Sequence, residues 1–226
     1  MDKLNLDIGC GGRGSMYPGF IGVDQHPLPA EFRTDNKEYI SLDFTFLPAL
    51  PWEDGTADEI VCFHVIEHLD GVRELVQSSG SIKNTKVWES GYHEGAELLR
   101  RIYALLKPGA SAYVSCPDNF LFTKMYLAAV VGPLDEKEAA LDFWRRVYPK
   151  NKKEMWPGIS PLARLVTQMR NDKQFDHRTP YDLQTLFICA TQLAGIPSAC
   201  VSGLPKDHFW SRRPDHECGI IITKPI

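Results

Sequence analysis

The chain lacks a basic excess. Its 25 Lys and Arg are outnumbered by 29 Asp and Glu, for a net charge of −4. That balance argues against a dedicated nucleic-acid binder, which presents a positive face to phosphates. It also lacks any apolar run near the ~18 residues that a membrane helix needs. The longest candidate, Met125 to Gly132, is far too short, so no membrane span is expected. Lys3 is followed by Leu-Asn-Leu-Asp rather than an apolar stretch, so no signal peptide is expected and a cytoplasmic location is. Six cysteines occur, at positions 10, 62, 116, 189, 200 and 218, and none lies in a C-x-x-C pair. A zinc site is therefore not expected; buried free thiols in a reducing compartment account for them. Repeats and low-complexity tracts are missing too. With 43% hydrophobic and 24% charged residues over 226 positions, the chain is an ordinary globular one. Its length suits a single domain, 1–226, carrying a sizeable insertion.

What is present alternates. Leu4 to Ile8 is a short apolar run ended by Gly9-Cys10-Gly11-Gly12, which reads as a strand entering a glycine loop. Phe20 to Asp24 and Tyr39 to Asp43 read as second and third strands, each ending in an acid. Glu59 to His64, Ser111 to Cys116 and Cys218 to Thr223 supply three more. Between them, Glu94 to Leu106 places Leu98, Leu99, Ile102, Leu105 and Leu106 on one helical face. Lys107-Pro108-Gly109 is read as its stop. Thr179 and Pro180 are read as the cap and first position of a later helix that runs to Gly195. This order predicts an α/β fold with a largely parallel sheet. Residues 120–178 break the alternation and are expected to form a helical insertion, a lid over the sheet edge. In such sheets ligands bind beyond the carboxyl ends of the strands, where Gly9, Asp24, Asp43, His64 and Asp118 would lie.

The run from Gly9 to Gly14 matches G-x-G-x-x-G, the fingerprint of dinucleotide sites. A dinucleotide also needs a helix after the loop to hold its pyrophosphate. Only Ser15 to Gly19, with a Pro and two residues of turn type, separate the loop from the next strand. That favours a cofactor without phosphate, such as S-adenosylmethionine. Glycines admit its amino acid end close to the backbone. Asp24 suits its ribose hydroxyls and Asp43 its adenine amino group.

Four motifs then resemble those of class I S-adenosylmethionine-dependent methyltransferases. Leu6 to Gly12 looks like their first motif, and Leu50 to Val61 resembles the "LPF-DGSFD-V" segment before their fourth strand. His64 to Leu69 is similar to "HVLEHL", and Leu105 to Gly109 to "VLKPGG". The short first link and the run from His177 to Ile196 resemble a subgroup associated with polysaccharide and small-molecule modification. The resemblance implies a Rossmann-like three-layer sandwich with seven strands, the last antiparallel. It implies cofactor contacts from Asp7, Gly9, Cys10, Gly11, Asp24, Gln25, Asp43, Phe44 and His64. Ala110 replaces the usual second glycine, and residues 70–93 form a longer connection than usual.

Methyl transfer to oxygen or nitrogen generally also needs a base. His64, Asp118 and His177 are the candidates, with Glu67 and His68 one turn beyond His64. Each has a plainer reading: His64 as a packed ring whose carbonyl meets the cofactor, Asp118 as a helix N-cap, His177 as a solvated loop histidine. Phe143 to Tyr148, then Lys150, Lys152, Lys153 and Trp156, mix cations with aromatics; Trp88 and Tyr92 belong to the same cover. They fit either a lid over a sugar or anionic acceptor or a solvated helix with aromatic anchors. The expected acceptor is a small molecule or glycan precursor. A catalytically silent cofactor-binding protein and an NAD-dependent oxidoreductase are the competing functions.

Overall fold

The structure is a computed structural model that describes residues 3–11, 17–25, 39–42, 50–69, 94–147, 181–211 and 215–226. Strands β1 (Asn5–Ile8), β2 (Phe20–Asp24), β3 (Tyr39–Ser41), β4 (Ala57–Phe63) and β5 (Leu106–Pro117) run parallel. Strand β7 (Glu217–Thr223) lies antiparallel between β5 and β6 (Val201–Gly203). The seven-stranded sheet has the order β3-β2-β1-β4-β5-β7-β6, the mostly parallel α/β sheet with an antiparallel last strand that the sequence predicts.

The two-residue period of a strand sorts side chains onto two faces. Leu6, Ile8, Val23, Ile60, Cys62, Ala112, Val114, Cys116, Ile220 and Ile222 are buried in one core. Helix α1 (Glu94–Leu105) adds Leu98, Leu99, Ile102 and Leu105 to it, the stripe expected from their spacing. Helix α4 (Leu183–Ile188) adds Leu186, and its π-type continuation Cys189–Leu193 adds Cys189 and Ala190. Each fully buried aliphatic contributes roughly 1.5–3 kcal/mol. The alternate residues of the central strands, Val61, Phe63 and Tyr113, meet Tyr17, Phe20 and Trp210 in an aromatic cluster. Its tip is fixed by a hydrogen bond from Trp210 Nε1–H to Glu59 Oε1 (3.0 Å).

After β5 come α2 (Asn119–Val131) and α3 (Leu134–Val147), the helices expected of an insertion. They close on Phe122, Phe143 and Trp144, so the two aromatics of α3 anchor it. Arg146 stays exposed, 3.8 Å from Asp215.

Three local features differ from the sequence expectation. Helix α1 ends at Leu105, just before Lys107-Pro108-Gly109 as expected, but β5 starts at Leu106 rather than at Ser111. Residues 107–110 bulge between the pairs Ala57↔Leu106 and Glu59↔Ser111. Gly109 takes φ +81 there and donates its N–H to Lys224 O (2.8 Å), while the Lys107 ammonium pairs with Asp58 (2.7 Å). Thr179 is not the cap of α4: Asp182 is, accepting from Thr185 N–H at 2.7 Å. Strand β6, three residues long, has no counterpart among the strands read from the sequence.

Candidate functional site

The carboxyl edge of β1, β2, β4 and β5 carries the predicted residues. Gly9 leaves β1 with φ +76 and donates its N–H to Val23 O (2.7 Å); Gly11 has φ +74. Both values favour a residue without Cβ. Gly11 N–H donates to Asp24 Oδ2 at 2.8 Å, so the acid ending β2 is tied to the loop ending β1. No described residue lies within 4 Å of where a Gly11 Cβ would stand. Gln25 follows, exposed, with its carbonyl 3.5 Å from Ser41 Oγ.

Asp7 and Asp24 are each only 6% exposed. Their field shows on the neighbours. Burial, then the charges of Asp7 and Asp24, push the Cys10 thiol up to about 12. Burial, then Asp24 and the Cys10 thiol, push the Tyr39 phenol to about 12. A further anion is disfavoured in this corner, and a cation favoured.

His64 sits at the end of β4. It is the one non-glycine residue with positive φ (57) among the described residues. Its N–H donates to Ser115 O (2.9 Å). Its ring lies between two buried acids: Nδ1 is 3.2 Å from Glu67 Oε1, and Nε2 is hydrogen-bonded to Glu217 Oε1. Ser115 Oγ–H reaches Glu217 Oε2 (3.4 Å). Burial by itself opposes a charged ring, but the hydrogen bond to Glu217 and the charges of Glu67 and Glu217 overcome it and raise His64 to about 9. The ring is therefore an imidazolium near neutrality, with both nitrogens engaged. His68 reaches Glu67 only at 3.9 Å.

Asp118 caps α2, its Oδ1 accepting from Leu121 N–H at 3.1 Å. Asp7, Gly9, Cys10, Gly11, Asp24 and His64 thus gather at one edge. Asp43, Phe44 and His177 lie outside the described residues, as do Gly12 to Gly14, Trp88, Tyr92, Tyr148, the three lysines at 150, 152 and 153, and Trp156. Glu217 was not foreseen. Its signal is an acid opening an otherwise apolar strand, and the register Pro117↔Glu217 carries it to the site. All six cysteines are free thiols, and no described helix is long and apolar enough to cross a membrane.

No family model and no curated protein matches the chain. Solved structures similar to it include the CurJ carbon methyltransferase, at 13% identity and TM-score 0.49, covering 100% of this chain and 50% of that one. The plantazolicin methyltransferase BpumL, solved in complex with a pentazolic analogue and SAH, is similar at 10% identity and TM-score 0.49, covering 99% and 77%. A Thermotoga maritima protein described as a possible histamine N-methyltransferase is similar at 16% identity and TM-score 0.46, covering 99% and 83%. The chain spans half the length of the first of these. All three are described as methyltransferases, and at these scores they lend no residue roles to this chain.

Proposed function

We propose that the protein is an S-adenosylmethionine-dependent methyltransferase acting on a small-molecule or glycan-precursor acceptor. The observation that carries this reading is the Gly11–Asp24 hydrogen bond within a corner made acidic by Asp7 and Asp24. A pyrophosphate would enter that field as an anion, whereas S-adenosylmethionine, with a sulfonium and an ammonium against one carboxylate, enters with a net positive charge. The left-handed glycines fit the close backbone approach such a group needs. The four-motif resemblance in the sequence supports the same choice.

Bound there, S-adenosylmethionine supplies a methyl carbon already activated by its sulfonium. The chain's part is to bind and align. Gly9, Cys10 and Gly11 take the amino acid end along the backbone, with Asp7 beneath. Asp24, flanked by Gln25, accepts from the ribose hydroxyls. Asp43 and Phe44 are assigned to the adenine, and the His64 carbonyl to the inner wall. Alignment of this kind is worth several kcal/mol of barrier. His64 and Asp118 are occupied, by the Glu67–Glu217 pair and by the Leu121 N–H respectively. His177 is therefore assigned as the base for the acceptor proton. The insertion 120–178 is assigned as the acceptor cover, and the protein acts in the cytoplasm.

Calorimetry with S-adenosylmethionine and with NAD tests the cofactor. Binding of the first and not the second is expected; NAD alone binding would make the protein an oxidoreductase. Transfer of labelled methyl into small-molecule acceptor pools tests turnover. Cofactor binding without any transfer would favour the silent binding protein.

A further inference from the structure

We propose that Glu217, on the last strand, is a positioning residue for the cofactor pocket, acting through the His64 ring to hold the His64–Val65 backbone against Gly9. The proposal rests on the methyltransferase reading. A left-handed backbone at a residue with a side chain is held only where its surroundings over-determine it. At His64 the surroundings are specific. The N–H is fixed by Ser115 O, and the ring is fixed by carboxylates from two different elements, Glu67 from the turn Ile66–His68 and Glu217 from β7. The turn in the chain at His64 delivers Val65 onto the glycine loop: a Cβ on Gly9 would lie 1.9 Å from Val65 Cγ2. A continuous line of contacts thus runs from Glu217 through His64 and Val65 to Gly9, two residues before the amide that holds Asp24.

Glu217 is not needed to keep β7 in the sheet. That strand is paired with β5 along its whole length, from Thr223↔Ser111 to Glu217↔Pro117. What the carboxylate adds is a partner for the second ring nitrogen. The protonated ring gives Nε2–H to Glu217 and still turns a positive Nδ1–H toward Glu67 Oε1 at 3.2 Å, an ion-pair contact without hydrogen-bond geometry; a neutral ring has only one N–H to give. The clamp is therefore complete only while His64 is protonated.

The described charged groups facing this ring are Glu217 from β7 and Glu67 from the turn. The charge of Glu67 also acts on Cys62 of β4, Cys116 of β5 and Tyr181 before α4, Asp7 of β1 acts on Cys62 as well, and His68 Nε2 lies 3.9 Å from Glu67. Burial raises the Cys62 thiol and the Tyr181 phenol, and the hydrogen bond with Cys218 raises the Cys116 thiol. None of these three titrates in the range where His64, at about 9, does.

The test is S-adenosylhomocysteine binding by calorimetry from neutral to alkaline pH for the wild type, Glu217→Gln and Glu217→Ala, with thermal melts to confirm folding. Wild-type affinity should hold near neutrality and fall as pH rises through about 9. Glu217→Ala should bind about tenfold more weakly near neutrality, and Glu217→Gln, whose amide oxygen still accepts from the ring, within about threefold of wild type. In both variants the alkaline fall should move to lower pH, a change that a general loss of stability does not produce. The position of that fall decides: if it is unmoved in a folded variant, the proposal is overturned. Where Glu217→Ala does not fold, Glu217→Gln alone decides on the same criterion. A wild type that binds no S-adenosylhomocysteine overturns the methyltransferase reading instead, and this proposal with it.

Discussion

The Cβ that Gly9 lacks would stand 1.9 Å from Val65 Cγ2, and Gly9 itself holds φ +76. An alanine there meets a strained backbone and an occupied space at once. Gly11 has nearly the same backbone, φ +74, but no described residue within 4 Å of the Cβ position. Gly9→Ala should therefore destabilise the fold by about 3 kcal/mol, and Gly11→Ala by about 1 kcal/mol. Urea unfolding checks both, and equal losses would contradict the Val65 contact.

Asp24 serves the loop and, in the proposed function, the ribose. Asp24→Ala should weaken S-adenosylmethionine binding by more than ~1.4 kcal/mol, since hydrogen bonds to a charged acceptor are lost. The same change removes one of the charges acting on Cys10. Alkylation of that thiol should then begin at lower pH than in the wild type. Unchanged affinity in calorimetry would remove Asp24 from the cofactor site.

The His64 clamp makes stability depend on pH in a definite direction. Its folded pKa, about 9, lies above the ordinary value of 6.5. Its contribution is therefore complete below pH ~6.5 and is lost as pH rises through about 9. On the order of 3 kcal/mol is at stake. Urea titrations across that range should show the fall, and His64→Gln should flatten it.

Asp118 separates a cap from a base. Asp118→Ala should cost about 1 kcal/mol of stability, and Asp118→Asn much less, because asparagine also caps helices. Methyl transfer should survive in the asparagine variant. A folded Asp118→Asn protein with cofactor bound and no turnover would make Asp118 the base after all.

The central sheet was legible because its strands announce themselves locally. Apolar runs ending in Gly9, Asp24 and His64 place those residues at one edge without any knowledge of pairing. Glu217 was not legible in that way. It lies 153 residues from His64, and only the antiparallel register with β5 brings the two together. The start of α4 is not legible locally because Thr179-Pro180 carries the same signal as Asp182, and it is Asp182 that accepts from the open N–H of Thr185. Lys107-Pro108-Gly109 reads as a stop, yet pairing of Lys107 with Asp58 and of Gly109 with Lys224 folds the same residues into a bulge. Strand β6, with only Val201 buried, has too little hydrophobic pattern to be seen locally.

The most direct measurement is a crystal structure of the protein with S-adenosylhomocysteine bound. The account predicts the amino acid end over Gly9 and Gly11, with the ribose hydroxyls on the Asp24 carboxylate. A ligand lodged away from these glycines, or Asp24 turned from it, would contradict the account.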